Sequence, residues 1–156
     1  MSTIAATSVV RPVGIRAATL DDADAIFGLL AQLGKGDAPE RSTFDAAFVD
    51  AVRSPDDRIL LVAAGEDDRV IGYALTTLVR LFHSNGTAAQ LQEIVVDDAR
   101  RGQRVGTTLV GAVERECRAR GVRQLTVASR RGAAFYEGLD YRSTADYLKK
   151  TFDGIR

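Results

Sequence analysis

Residues 93–110 read EIVVDDARRGQRVGTTLV, and no other stretch limits the fold as tightly. An apolar run is followed by a turn holding Arg100, Arg101, Gly102 and Arg104. After it Val105, Leu109, Val113 and Cys117 recur every four residues, so the order is strand, loop, amphipathic helix. Gly121 is the expected C-terminal cap, which gives a helix of about four turns. RQLTVAS (123–129) then resumes β character. The segment is therefore the first half of a β-α-β crossover, which should be right-handed with its two strands parallel.

The remaining elements fit around that crossover. RILLVAAG (58–65), RVIGYALTTLVRLF (69–82) and AAQLQEIVV (88–96), joined by short turns, predict an antiparallel meander. VGIRAAT (13–19) is a short first strand. Thr19 and Asp22 stand at capping-box spacing before Leu20, Ile26, Leu29, Leu30 and Leu33, a helix closed by Gly34. Ser42 with Asp45 starts a second helix bearing Phe44, Phe48 and Val52, and SPDD (54–57) ends it. GAAFYEGL (132–139) is a short helix and YRSTADYLKKTF (141–152) a last strand. The fold class is α/β with a mixed α+β sheet, an antiparallel meander feeding one parallel crossover. Residues 1–12 read as a loose tail, and 13–156 as a single domain of a size that buries its own core.

Charge narrows the function classes. Lysine plus arginine and aspartate plus glutamate both total 21, so no global field favours nucleic acid or an anionic membrane. The arginines at 100, 101, 104, 115, 118, 120 and 123 are interrupted by Glu114 and Glu116, as on a solvated helix face. No run of eighteen apolar residues exists to span a bilayer. Cys117 is the only cysteine, which excludes an internal disulfide and a thiolate cluster; no metal and a reducing, cytoplasmic setting are expected.

A helix start presents free backbone N–H groups and the positive end of its dipole, which attract anions. Gly102 and Gly106 allow close approach, and the three arginines add donors suited to phosphate oxygens. Solvated loop arginines and turn glycines would look the same on this stretch alone. A Walker loop is excluded because Gly106-Thr107-Thr108 lacks the lysine, and the dinucleotide fingerprint because only two glycines are present.

EIVVDDARRGQRVGTTLV (93–110) resembles the acyl-CoA-binding segment of the GNAT acetyltransferase superfamily, Arg/Gln-x-x-Gly-x-Gly/Ala between a strand and a long helix. Arg101 and Gly106 match, while Arg104 stands where the first glycine is usual. ASRRGAAFYEGLDYRS (128–143) resembles the family's Asn-x-x-Ala-x-x-Phe-Tyr-x-x-x-Gly-Phe segment. Phe135, Tyr136 and Tyr141 match; Ser129 replaces the asparagine, Gly132 the alanine and Asp140 the glycine. The order of elements from Val13 to Phe152 also fits the family's fold.

The resemblance implies acetyl transfer from acetyl-CoA to a primary amine by direct attack. It places the pyrophosphate on the backbone of Arg101, Gly102, Gln103, Arg104, Val105, Gly106 and Thr107. Pantetheine would pair with Ile94, Val95 and Val96, with Ser129 nearby and Arg130 and Arg131 as contacts for the nucleotide phosphate. A backbone N–H of that strand would polarise the thioester oxygen. Tyr136 would donate to the departing sulfur. An amine of lysine type has a pKa of about 10.4, so neutralising it at pH 7 costs about 4.6 kcal/mol. Glu93 could accept that proton through water; its alternative is a solvent-facing or arginine-paired carboxylate. His83 borders a turn and reads as a surface residue, and Cys117 as a core residue.

The acceptor is expected to be a small-molecule amine, with a peptide or protein lysine or N-terminus as the alternative. Asp37, Glu40 and Asp45 are acids that could attract it. The replacements at 104, 129 and 140 are the best support for a different reading, a degenerate acyl-CoA-binding or interaction module, and the intact Tyr136 and 101–106 loop count against it. Dimerisation is common in such folds, so a homodimer is kept open as a partner.

Overall fold

A computed structural model of the chain describes residues 13–34, 38–129 and 132–152. The expected tail at 1–12, Asp37, Arg130 and Arg131 lie outside the described residues. The chain falls into two compact units, Met1–Thr126 and Val127–Arg156.

The first unit is built on a sheet of strands β1 (Gly14–Ala17), β2 (Arg58–Ala64), β3 (Val70–Leu81), β4 (Gly86–Val96) and β5 (Gln124–Val127), in that spatial order. β1 to β4 form an antiparallel meander, as the turn-separated β runs predict. Against β4, Arg123 N–H donates to Thr87 O at 2.9 Å and Thr126 Oγ1 to Ala89 O at 3.4 Å. Both sides advance in the same sense, so β5 runs parallel to β4. Helix α3 (Val105–Ala119) makes the crossover, and Gly121 ends it at φ +70°.

Helices α1 (Ala23–Leu30) and α2 (Arg41–Arg53) cover one face. Ile26, Leu29 and Phe48 from them pack with Val62, Tyr73 and Val95 of the sheet in one buried cluster. Gly72, next to Tyr73, faces the other way, and a Cβ there would meet Val105 and Leu109 of α3. Adjacent strand residues point to opposite faces, so α3 closes the second layer.

Two expectations are corrected. α2 begins at Arg41, not at Ser42, because Glu40 is the extended residue before the helix and its carbonyl accepts the Phe44 N–H at 2.9 Å. The Ser42 hydroxyl donates to Glu40 Oε1 at 2.8 Å and caps nothing. Residues 141–152 form no strand. Their β-forming side chains supply a preference, but a strand exists only where a neighbour completes its backbone ladder.

The capping pair at the start of α1 carries an ion pair. Asp22, 6% exposed, accepts the Thr19 N–H at 2.8 Å and both Arg16 Nη groups at 2.7 and 2.8 Å. The Arg16 hydrogen bonds hold its carboxyl below the usual carboxylate range. A depressed folded-state pKa stabilises fully above the unfolded value of about 4, and that stability is lost as pH falls through the folded value. Asp22→Asn should therefore cost about 2 kcal/mol at neutral pH, Arg16 being partly solvated. In urea titrations the gap to the parent should close below about pH 4.

Candidate functional site

β4 leads directly into the first part of the site. Beyond Val96, Asp97 Oδ1 accepts the Ala99 N–H at 3.2 Å and opens a single 3-10 turn, Asp98–Arg100. The Gln32 side chain, beyond the end of α1, accepts the Asp98 N–H at 2.9 Å and ties this turn to the helical layer. Arg101 pairs with Asp98 at 2.7 Å. Gly102 (φ +80°) and Arg104 (φ +61°) are both left-handed, which turns the chain sharply into α3.

The first backbone bond of α3 is Thr108 N–H to Arg104 O at 3.0 Å. Val105, Gly106 and Thr107 precede it, and their N–H groups have no intrahelical acceptor. Residues 101–104 are exposed, a Cβ at Gly102 would meet nothing within 4 Å, and Val105 is buried against Gly72. The helix start is thus pinned from below and open above, a shape suited to an anion. Upstream, Ile94, Val95 and Val96 pair on one side with Ala74, Tyr73 and Gly72. The contacts of β5 with β4 lie at the opposite end, at Thr87 and Ala89.

Glu93 owes its orientation to a bulge. Leu75 pairs with Glu93 but Thr76 pairs with Leu91, so Gln92 is the extra residue of β4. A one-residue slip moves side chains to the other face. Without it Glu93 would share the face of Leu91; with it Glu93 joins Tyr73 and Val95 on the α1 and α2 side. There Tyr73 Oη, in a side chain 2% exposed, donates to Glu93 Oε1 at 2.8 Å. Burial first, and the Glu93 charge second, push the Tyr73 phenol far up, so it stays a donor at every working pH. The partner of Glu93 is therefore a tyrosine, neither solvent alone nor an arginine. Tyr73, Gln32 and the bulge escaped the sequence reading. Two signals existed: a tyrosine in a buried strand needs a partner for its hydroxyl, and Glu93 interrupts the alternation of buried Leu91 and Val95.

In the second unit, α4 (Ala133–Glu137) carries Tyr136, buried with its ring edge-on to Phe135 and Tyr141 at 5.0 and 5.6 Å. Burial raises its pKa, which keeps the hydroxyl protonated at neutral pH. Ser129 Oγ accepts the Gly132 N–H at 2.8 Å, and a Cβ at Gly132 would come within 3.0 Å of that oxygen. Serine at 129 and glycine at 132 therefore fit each other. Asp140 sits at φ +69°.

The other titratable side chains singled out in the sequence hold surface or core positions. His83 is exposed in the turn between β3 and β4. Cys117 is buried in α3, and burial pushes its thiol up, away from a nucleophilic thiolate. Asp45 pairs with Arg41 at 2.8 Å, and Glu40 holds Ser42. Among the described residues no group of three or more histidine, cysteine or acidic side chains could hold a metal, and no helix is long and apolar enough to cross a membrane.

Residues 24–141 match the acetyltransferase (GNAT) family. The chain belongs to that family. Members generally use acetyl-CoA. Solved structures give the same fold at low identity. A glucosamine-6-phosphate N-acetyltransferase from Arabidopsis thaliana superposes with a TM-score of 0.80 at 22% identity, over 92% of this chain and 100% of its own. A transcriptional regulator from Bacillus halodurans C-125 gives 0.81 at 22%, over 90% and 100%. A Trypanosoma brucei acetyltransferase gives 0.78 at 22%, over 90% and 100%. No curated protein matches the sequence significantly.

For a GNAT protein the departures at 104 and 140 gain a physical reading. Both replace a glycine of the family pattern, and both keep the left-handed backbone that glycine adopts freely. The backbone shape survives, at a cost in strain. Arg104→Gly should therefore stabilise the protein by about 1 kcal/mol in urea unfolding.

Proposed function

We propose that this GNAT protein is an acetyl-CoA-dependent N-acetyltransferase acting on a primary amine of a small molecule by direct attack. The observation that carries the reading is the start of α3: three backbone N–H groups without intrahelical acceptors, above an anchored Val105 and beside the open Gly102. A pyrophosphate fits such donors. Val105, Gly106 and Thr107 would hold it through the backbone, with Arg101, Gln103 and Arg104 around it. The backbone of Ile94–Val96 is suited to pairing with the pantetheine amides, and one of its N–H groups to polarising the thioester carbonyl. Acetyl-CoA supplies the acetyl group as an activated thioester.

Glu93, half-buried and oriented by Tyr73, is the group to take the amine proton, through water. Tyr136, held protonated by burial, is the donor for the leaving sulfur. A thiol of pKa about 8.5 leaves readily, so Tyr136 speeds the step without being indispensable. Ser129 accepts from Gly132 but keeps its own hydroxyl hydrogen to donate. The retained left-handed backbone at 104 and 140 argues against a degenerate binding module.

Calorimetric titration of acetyl-CoA into the protein tests the reading. Micromolar binding is expected, followed by amine-dependent release of CoA thiol across a panel of small amines. Absence of binding would sink it in favour of an interaction module. Tyr73→Phe checks the role of Glu93 separately. Losing the hydrogen bond that orients the carboxylate should lower kcat/KM severalfold, with about 1 kcal/mol lost in stability. An unchanged kcat/KM would remove Glu93 from the reaction.

A further inference from the structure

We infer that the chain carries a second binding site, a groove at the free edge of β2 that takes an apolar monocarboxylate. β1 is the shorter of the two strands. Ala17 pairs with Leu61, the Ala18 N–H donates to Leu60 O at 3.0 Å, and the chain then turns away at Thr19. β2 extends two residues further, at Ile59 and Arg58, and among the described residues no strand lies beside them on that side. α3 borders this notch on one face of the sheet and the end of α2 on the other, leaving a groove of about 300 Å³. That volume is the lower end of the range for small-molecule sites.

The lining joins an apolar base to surplus positive charge. Buried Ile59, Leu61 and Ala112 supply the base, with half-buried Val52 beside them. Among the described residues four arginines and one carboxylate, Glu116, border it. Three of the arginines are engaged: Arg16 with Asp22 at 2.7 Å, Arg58 with Asp50 at 2.9 Å, and Arg120 with Glu116 at 3.4 Å and with the Pro55 carbonyl. Asp22 and Asp50 stand outside the groove, so its wall keeps an excess of cations. Arg115 is left over, exposed and, among the described residues, without an ion-pair or hydrogen-bond partner. Its Nη1 lies 3.6 Å from where a Cβ of Gly111 would be, so the guanidinium rests along α3 one turn back. A guanidinium receives a carboxylate through paired hydrogen bonds, and the apolar base takes the hydrocarbon. A neutral molecule would leave Arg115 unused, and a cation would meet only repulsion. None of these residues belongs to the proposed acetyl-transfer site, so the inference stands apart from that reading.

Octanoate and its neutral analogue octanamide are the probes, titrated calorimetrically into the full chain. Octanoate should bind saturably, one per chain, with a Kd below about 1 mM, and octanamide about tenfold more weakly. Arg115→Gln, a change at an exposed position, should bring octanoate down to the affinity of octanamide. Ala17→Trp should block both, because Ala17 lines the groove at an exposed strand position that accepts an aromatic ring. Should that variant misfold, Arg115→Gln still decides. Saturating acetyl-CoA should leave octanoate binding unchanged. The inference is overturned by absence of saturable binding, by equal affinity for octanamide, by octanoate affinity that Arg115→Gln leaves intact, or by displacement with acetyl-CoA, which would place octanoate in the cofactor site. A dimer in light scattering that Ala17→Trp dissociates would give the groove to a second copy and overturn it too.

Discussion

Replacing Gly106 with tryptophan should weaken acetyl-CoA binding by at least about 100-fold, roughly 2.7 kcal/mol, while leaving the protein folded. Position 106 is the second residue of α3, in the turn whose N–H groups have no helical acceptor. An indole there covers those donors and fills the space an anion would occupy. The helix tolerates the change, since tryptophan costs it less than the glycine it replaces. An unchanged urea midpoint and circular dichroism spectrum would show that the loss is local. Parent-like binding by this variant would move the cofactor to another part of the molecule.

Gly72→Val should cost about 3 kcal/mol of stability. A Cβ at this position would lie 2.9 Å from Val95 O, 3.3 Å from Leu109 Cδ1 and 3.5 Å from Val105 Cγ1. The first of these is backbone and cannot rotate aside. Relief has to come from parting β3 and β4 beside Val95 and from lifting the start of α3, where Val105 packs on Gly72, off the sheet. The variant should therefore lose acetyl-CoA affinity in its folded fraction as well as stability. Urea unfolding with and without acetyl-CoA separates the two, because ligand stabilisation shrinks only if the site has moved.

Much of this was legible in the sequence where periodicity was strong. The four-residue recurrence from Val105 to Cys117 fixed α3, and the turn-separated apolar runs fixed the meander. Boundaries were less legible, because Glu40 and Ser42 are both polar residues ahead of an apolar stripe and only backbone angles decide which precedes the helix. The segment 141–152 misled because propensity says what a backbone prefers, not whether a neighbour is present. In the site, Gly102, Arg104 and the free helix start could be read from local chemistry. Tyr73 could not be assigned to Glu93, since that contact spans twenty positions and depends on an extra residue at Gln92.

That extra residue makes the chain's chemistry a matter of parity. Which side of the sheet the Glu93 carboxylate serves is decided by counting, odd or even, and no intermediate setting exists. Substitutions at the exposed Gln92 other than proline should cost little beyond its side-chain donation to Thr77 Oγ1 at 2.9 Å, because position 92 acts mainly through its presence. Deleting it would be different in kind, inverting one end of β4 against the other. The side chain at 92 is therefore open to change by degrees, and the number of residues between Leu91 and Glu93 is not.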